Sequence, residues 1–133
     1  MKNEENFTLF LEGGLGAGKT FLVRELLKHF GIEGEVTSPT YTFVNEYQKD
    51  IDHAKTSEWH HFDFYRMEHA DEFFARGFDE IAEDKRVAKF VEWGEKLPAH
   101  VRNSFSGTHY VVKIKHTESV GMRQVKVLGR GEA

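Results

Sequence analysis

The sequence predicts an α/β fold: a three-layer sandwich around a mixed, mainly parallel central sheet, with few helices. Three observations carry that reading. A short apolar run at residues 7–11 stops against glycines and is followed by an amphipathic helix, the strand, loop, helix order from which parallel sheets are built. A second compact apolar run at residues 87–91, broken only by Lys89, has the look of a central buried strand. Alternating segments at residues 109–116 and 123–128 flank Glu118-Ser119-Val120-Gly121, as the two arms of a hairpin would.

Each element follows from its own pattern. From Thr20 onward, Phe21, Leu22, Val23, Leu26, Leu27 and Phe30 recur at spacings of three and four, and Gly31 sits where a left-handed residue closes a helix. Pro39 biases Ser38 toward an extended conformation, so residues 36–41 read as a loop. Residues 42–47 read as a strand, the polar stretch 49–57 as a surface turn, and the aromatic-rich stretch 59–65 as extended. Asp71 is placed to cap a short helix ending near Gly77, and Asp79 to start another reaching about Lys85. Residues 98–107 read as irregular.

Composition narrows the function classes. The 133 residues predict one domain over 1–133. Apolar residues other than glycine make up 39%, and the 12 glycines lift that to roughly half, the share of a chain that folds. The net charge of −4 argues against a domain that grips nucleic acid over its whole surface. With no cysteine there is no disulfide frame, thiolate zinc site, iron–sulfur cluster or cysteine nucleophile. Apolar runs fall far short of the roughly 18 residues that cross a bilayer, and the charged start lacks the order of a secretion signal, so a cytoplasmic protein without membrane contact is expected. Residues 68–84 hold seven acids against one base, and residues 109–133 five bases against two acids. Such runs are solvated faces or docking surfaces.

Gly13-Gly14-Leu15-Gly16-Ala17-Gly18-Lys19-Thr20 matches the phosphate-loop pattern of Gly, four residues, then Gly-Lys-Ser/Thr. This composition would produce the pattern by chance about 1% of the time, and the predicted strand before it and helix after it supply the geometry it needs. A triphosphate demands many donors close together and no side chain in the way. Glycine gives that access, successive main-chain N–H groups curl into an anion-binding hollow, and the helix N-terminus adds partial positive charge. Lys19 is expected on the outer phosphates and the Thr20 hydroxyl on Mg²⁺. The fold expected is therefore that of a P-loop nucleoside triphosphatase.

Two carboxylates compete for the remaining duties. In His61-Phe62-Asp63-Phe64-Tyr65, period-two geometry puts His61, Asp63 and Tyr65 on one face and the two phenylalanines on the other. Asp63 is open between holding a metal-bound water, orienting the attacking one, and a purely structural polar cluster. Glu92 closes the apolar run, where phosphate-loop proteins place an acid that organises magnesium or water. Trp93 offers a flat surface for a nucleobase, or a core or partner contact. Thr40 stands where a hydroxyl senses the γ-phosphate in related loops, or is a loop residue only. His60-His61 without cysteine makes a poor zinc site.

Together these motifs resemble the bacterial TsaE (YjeE) family, the small ATPase component of the tRNA threonylcarbamoyladenosine machinery. The match runs from about Leu11 to Trp93 through residues 13–20, 36–41, 61–66 and 91–93. The resemblance implies ATP or ADP with Mg²⁺; a nucleotide site at Gly13, Gly14, Leu15, Gly16, Ala17, Gly18, Lys19 and Thr20; and Trp93 near the adenine. It further implies Thr20 and Glu92 toward the metal, and Asp63, Glu92 and Thr40 as catalytic residues. TsaD and TsaB are the implied partners, with tRNA reached through their complex and hydrolysis serving repeated turnover. The chain departs from the family at Gly14, where an acid is common, and at Phe21, where a second Thr is frequent. An ATPase slow by itself and faster with partners is the leading expectation. A small-molecule kinase would need an arginine-rich lid that seven scattered arginines do not make. A nucleotide-gated assembly module with incidental hydrolysis is the third reading, and no Asn-Lys-x-Asp segment supports a GTPase.

Overall fold

A computed structural model describes residues 6–39, 42–52, 55–116 and 123–129. Six strands form one sheet in the order β2-β3-β4-β1-β5-β6. Strands β1 (Phe7–Glu12), β3 (Lys55–Asp63), β4 (Val87–Glu92) and β5 (Thr108–His116) run parallel, while β2 (Val44–Asp52) and β6 (Arg123–Gly129) pair antiparallel at the two edges. The expected mixed, mainly parallel sheet is therefore present, and β4 lies inside it with all six residues buried. Helix α1 (Lys19–His29) covers one face; the other carries α2 (Asp71–Ala75), α3 (Phe78–Glu83) and α4 (Ala99–Arg102).

Alternation in the strands makes the two cores. From β1, Phe7, Leu9 and Leu11 pack with Val23 and Leu27 of α1, while Phe10 points to the opposite core. That second core is a set of phenylalanine rings: Phe62 meets Phe64 at 5.4 Å, Phe78 at 5.5 Å and Phe105 at 5.8 Å between centroids. Each such ring contributes on the order of 1.5–3 kcal/mol by burial, which is what holds helices too short to be stable alone.

Four expectations need correction. The stretch at residues 49–57 is mostly strand rather than turn, because main-chain pairing carries β2 to Asp52 and starts β3 at Lys55, with a register shift between Asp50 and Asp52. Asp71 and Asp79 do not cap their helices. Ala70 and Gly77 take the N-cap positions, and the two acids stand in the first turns, where they meet the positive end of the helix dipole. Residues 98–107 include α4, whose Val101 is buried. Tyr65 lies beyond the end of β3. At the β6 edge, Val125 and Val127 are 52% and 60% exposed, although they pair across to the buried Ile114 and Val112.

Lys89 of β4 is fully buried at the N-terminal end of the sheet. Its Nζ donates to the Asp84 carbonyl at 2.6 Å, Ser106 Oγ at 2.5 Å and Asn6 Oδ1 at 3.4 Å, so one ammonium joins the start of β1, the end of α3 and the loop before β5. Burial lowers its pKa from 10.5 to about 8, with Asp84 opposing. Between those two values the unfolded chain holds a proton that the folded chain has released, so stability rises with pH across the window and is lost as pH falls through about 8. Lys89→Ala should cost about 2–4 kcal/mol in urea unfolding, because it leaves a cavity and three acceptors. The wild-type midpoint should climb relative to that of Lys89→Met from pH 8 to 10.5; parallel profiles would contradict this account.

Candidate functional site

The C-terminal ends of β1, β3 and β4 meet at one level. Register pairs Leu11 with Glu92 and Asp63 with Glu92, so the two carboxylates stand side by side where β1 gives way to the glycine loop. That edge of a parallel sheet is where α/β folds bind ligands. A cleft of about 440 Å³ opens there, and the loop from Leu15 to Thr20 forms one wall.

The loop's conformation explains its glycines. Gly16 and Gly18 hold φ of 75° and 105°, the left-handed region that suits only glycine well, and a Cβ at either would meet nothing within 4 Å. The hollow is thus lined by main chain. Gly13 is required for a different reason, because a Cβ there would lie 2.5 Å from the Ile114 carbonyl oxygen of β5. Lys19 Nζ donates to the Gly13 carbonyl at 2.6 Å, which turns the ammonium back over its own loop. Burial pulls this lysine below its usual pKa, against the raising fields of Glu92, Glu95 and Asp63.

Glu92 is the hub. Its Oε2 accepts the Thr20 hydroxyl at 2.8 Å and His61 Nε2 at 2.6 Å. His61 is fully buried and pairs by register with Asn45 and Phe90, so β3, β4 and α1 are joined through one carboxylate oxygen. Asp63 is likewise engaged: Ser38 Oγ donates to Oδ2 at 2.7 Å, and the Tyr65 N–H to Oδ1 at 3.0 Å. Trp93 takes a left-handed φ of 60° immediately after β4. The Lys19 ammonium stands 3.6 Å from its ring centroid, and the Tyr65 ring packs on it at 5.0 Å.

The geometry brings together residues 15–20, Asp63, Glu92 and Trp93 around the cleft, whereas Gly13 and Gly14 precede its lining; Gly13 joins it only through its carbonyl, which holds Lys19. Thr40 lies outside the described residues. Ser38, Tyr65, Phe21, Pro39 and Arg66 also line the cleft. Two parts of the arrangement went unforeseen, the Ser38 to Asp63 bond and the support of Glu92 by His61. The shared face predicted for His61 and Asp63 was the available signal for the second, while contacts 25 residues apart leave none for the first. Among the described residues no group of three or more His, Cys, Asp or Glu side chains is arranged to hold a metal ion alone. The oxygens of Thr20 and Glu92 are nonetheless the hard donors that magnesium takes when phosphates and waters complete its shell, so the donor set fits that ion.

The family model for threonylcarbamoyl adenosine biosynthesis protein TsaE matches residues 1–125. The chain belongs to the TsaE family. It is 37% identical over 93 residues to the tRNA threonylcarbamoyladenosine biosynthesis protein TsaE of Rickettsia felis, covering 68% of this chain and 49% of that protein. With the TsaE protein of Haemophilus influenzae it shares 35% over 96 residues, 72% of this chain and 57% of the relative. The match thus spans about half the length of these relatives. The crystal structure of Bacillus subtilis YdiB superposes with a TM-score of 0.63 at 25% identity, over 96% of this chain and 70% of that one. The TsaE-family chain accordingly has a P-loop-like α/β fold.

Gly13→Ala should lower stability by about 1–3 kcal/mol through the clash with β5, whereas Gly14→Ala, where a Cβ meets open space, should cost little. Thermal unfolding of the two variants separates them, and equal melting temperatures would contradict the packing described.

Proposed function

We propose that this chain is a Mg²⁺-dependent ATP-binding and ATP-hydrolysing component of tRNA threonylcarbamoyladenosine modification. In this reading it is a single domain over residues 1–133 that acts in the cytoplasm with TsaD and TsaB, meets tRNA through their complex, and permits repeated turnover. The observation that carries the proposal is the bond from Thr20 Oγ1 to Glu92 Oε2, which sets a loop built for phosphates against a carboxylate fixed from behind by His61.

Each residue then has a role. The amides of residues 13–20 bind the phosphates, Lys19 neutralises the outer ones, and the Thr20 hydroxyl and Glu92 face the metal. Magnesium, when bound, spreads the charge that develops between the β- and γ-phosphates. Asp63 orients the attacking water once Ser38 lets go of it, and Thr40 serves as the γ-phosphate sensor. Phosphoryl transfer is mostly positioning and charge stabilisation; Arg66 lines the cleft, and partners are the natural source of a further positive group.

Lys19→Ala should lose ATP affinity with the fold kept, measured by calorimetry and circular dichroism; retained affinity would contradict the role given to that side chain. Hydrolysis by the purified chain should be slow and rise when TsaD, TsaB and tRNA are added, and equal rates would count against partner stimulation.

One observation favours a second reading, a nucleotide-gated assembly module. Both Asp63 oxygens already accept hydrogen bonds, as they would in a switch rather than in a poised base. Glu92→Gln distinguishes the two: the enzymatic reading expects ATP and partner binding but no repeated tRNA modification, and the module reading expects repeated cycles.

A further inference from the structure

Three aromatic rings border the cleft: Phe21, Tyr65 and Trp93. Two of them are committed to its Lys19 end. Trp93 follows Glu92 directly and carries the Lys19 ammonium 3.6 Å from its centroid, and Tyr65 packs against Trp93. In a phosphate loop the lysine marks the outer phosphates, so these two rings stand where a triphosphate ends. The ribose and base must lead away from that end.

Phe21 is placed differently. It follows Thr20 in the first turn of α1 and lies off the Lys19, Val23, Leu27 stripe that the helix buries. Its side chain borders the cleft and is 59% exposed, so much of the ring is open to a ligand entering there. Arg24, nearly one turn later, holds its guanidinium 5.9 Å from the ring centroid, within the range of a cation–π contact. The same Arg24 donates through Nε to the Val36 carbonyl at 3.4 Å, so the group beside the ring is itself tethered.

We propose that Phe21, rather than Trp93, is the platform on which the base of a bound nucleotide rests. This rests on the nucleotide-binding reading above and adds to it the residue that recognises the nucleoside half of the ligand. Loop amides and Lys19 bind any polyphosphate; Phe21 makes a nucleotide bind better than a bare one. Stacking draws on the π-face that every base has, so the ring strengthens binding without choosing among bases.

Calorimetry with ATP and with inorganic tripolyphosphate, both with Mg²⁺, tests the assignment on the wild type, Phe21→Ala, Phe21→Trp and Trp93→Ala. Phe21→Ala should bind ATP about tenfold more weakly, the scale of losing one stacked base, while its tripolyphosphate affinity stays unchanged and shows the loop intact. Phe21→Trp should keep ATP affinity, and Trp93→Ala should move both ligands alike. Unchanged ATP affinity in Phe21→Ala, an equal loss of both ligands there, or a loss of ATP alone in Trp93→Ala would each overturn the assignment. A wild type that binds tripolyphosphate as tightly as ATP would overturn it as well and leave the phosphate site standing. A wild type that binds neither would remove the nucleotide-binding reading itself.

Discussion

One carboxylate oxygen organises the site. Glu92 Oε2 accepts from a helix hydroxyl and a strand imidazole at once, and those two donors are 72 and 31 residues away along the chain. A buried carboxylate without such donors would be strongly unfavourable, so the oxygen, Thr20 and His61 are mutually dependent. The start of α1 cannot shift against β4 without breaking the pair, and this fixes the phosphate loop relative to the sheet. The loop's shape comes from its glycines, but its position comes from Glu92.

The sheet makes that meeting possible. Parallel pairing of β1, β3 and β4 brings three strand ends to a common level, and the register that opposes Asp63 to Glu92 also carries alternate residues into the phenylalanine core. Site and core are two faces of one alternation. At the opposite end of the same strands, the buried ammonium of Lys89 ties together three segments that never approach the cleft. Anchoring and ligand handling therefore sit at opposite ends of β4.

Much of this was legible in the residues. The phosphate loop, its helix, the buried β4 and the β5–β6 pair each carry a strong local signal, whether a spacing, a period or a run. The adjoining ends of β2 and β3 did not, because main-chain pairing such as Lys49 with Ser57 and Asp50 with Thr56 extends the strands through polar residues that leave no apolar period. Helix α4 was hidden because a four-residue element contributes a single buried residue, Val101, to the pattern. Within the site, residue types announced the chemistry of Lys19, Thr20, Asp63 and Glu92, but not their partners. Ser38 reaches Asp63, and Lys19 reaches Trp93, only through the folded path of the chain. Local pattern names the actors; register decides who touches whom.

The β6 margin bears on how the molecule behaves in concentrated solution. Val125 and Val127 continue an apolar row beyond the reach of α1, which makes the sheet wider than its cover. A bare row of that kind on an edge strand invites a second sheet to dock. Lys113, Lys115 and Lys126 are exposed on these same two strands but alternate with the valines, so their charge lies on the opposite face of the rim. A salt such as sulfate, which strengthens apolar burial, would therefore favour contact through the valine row.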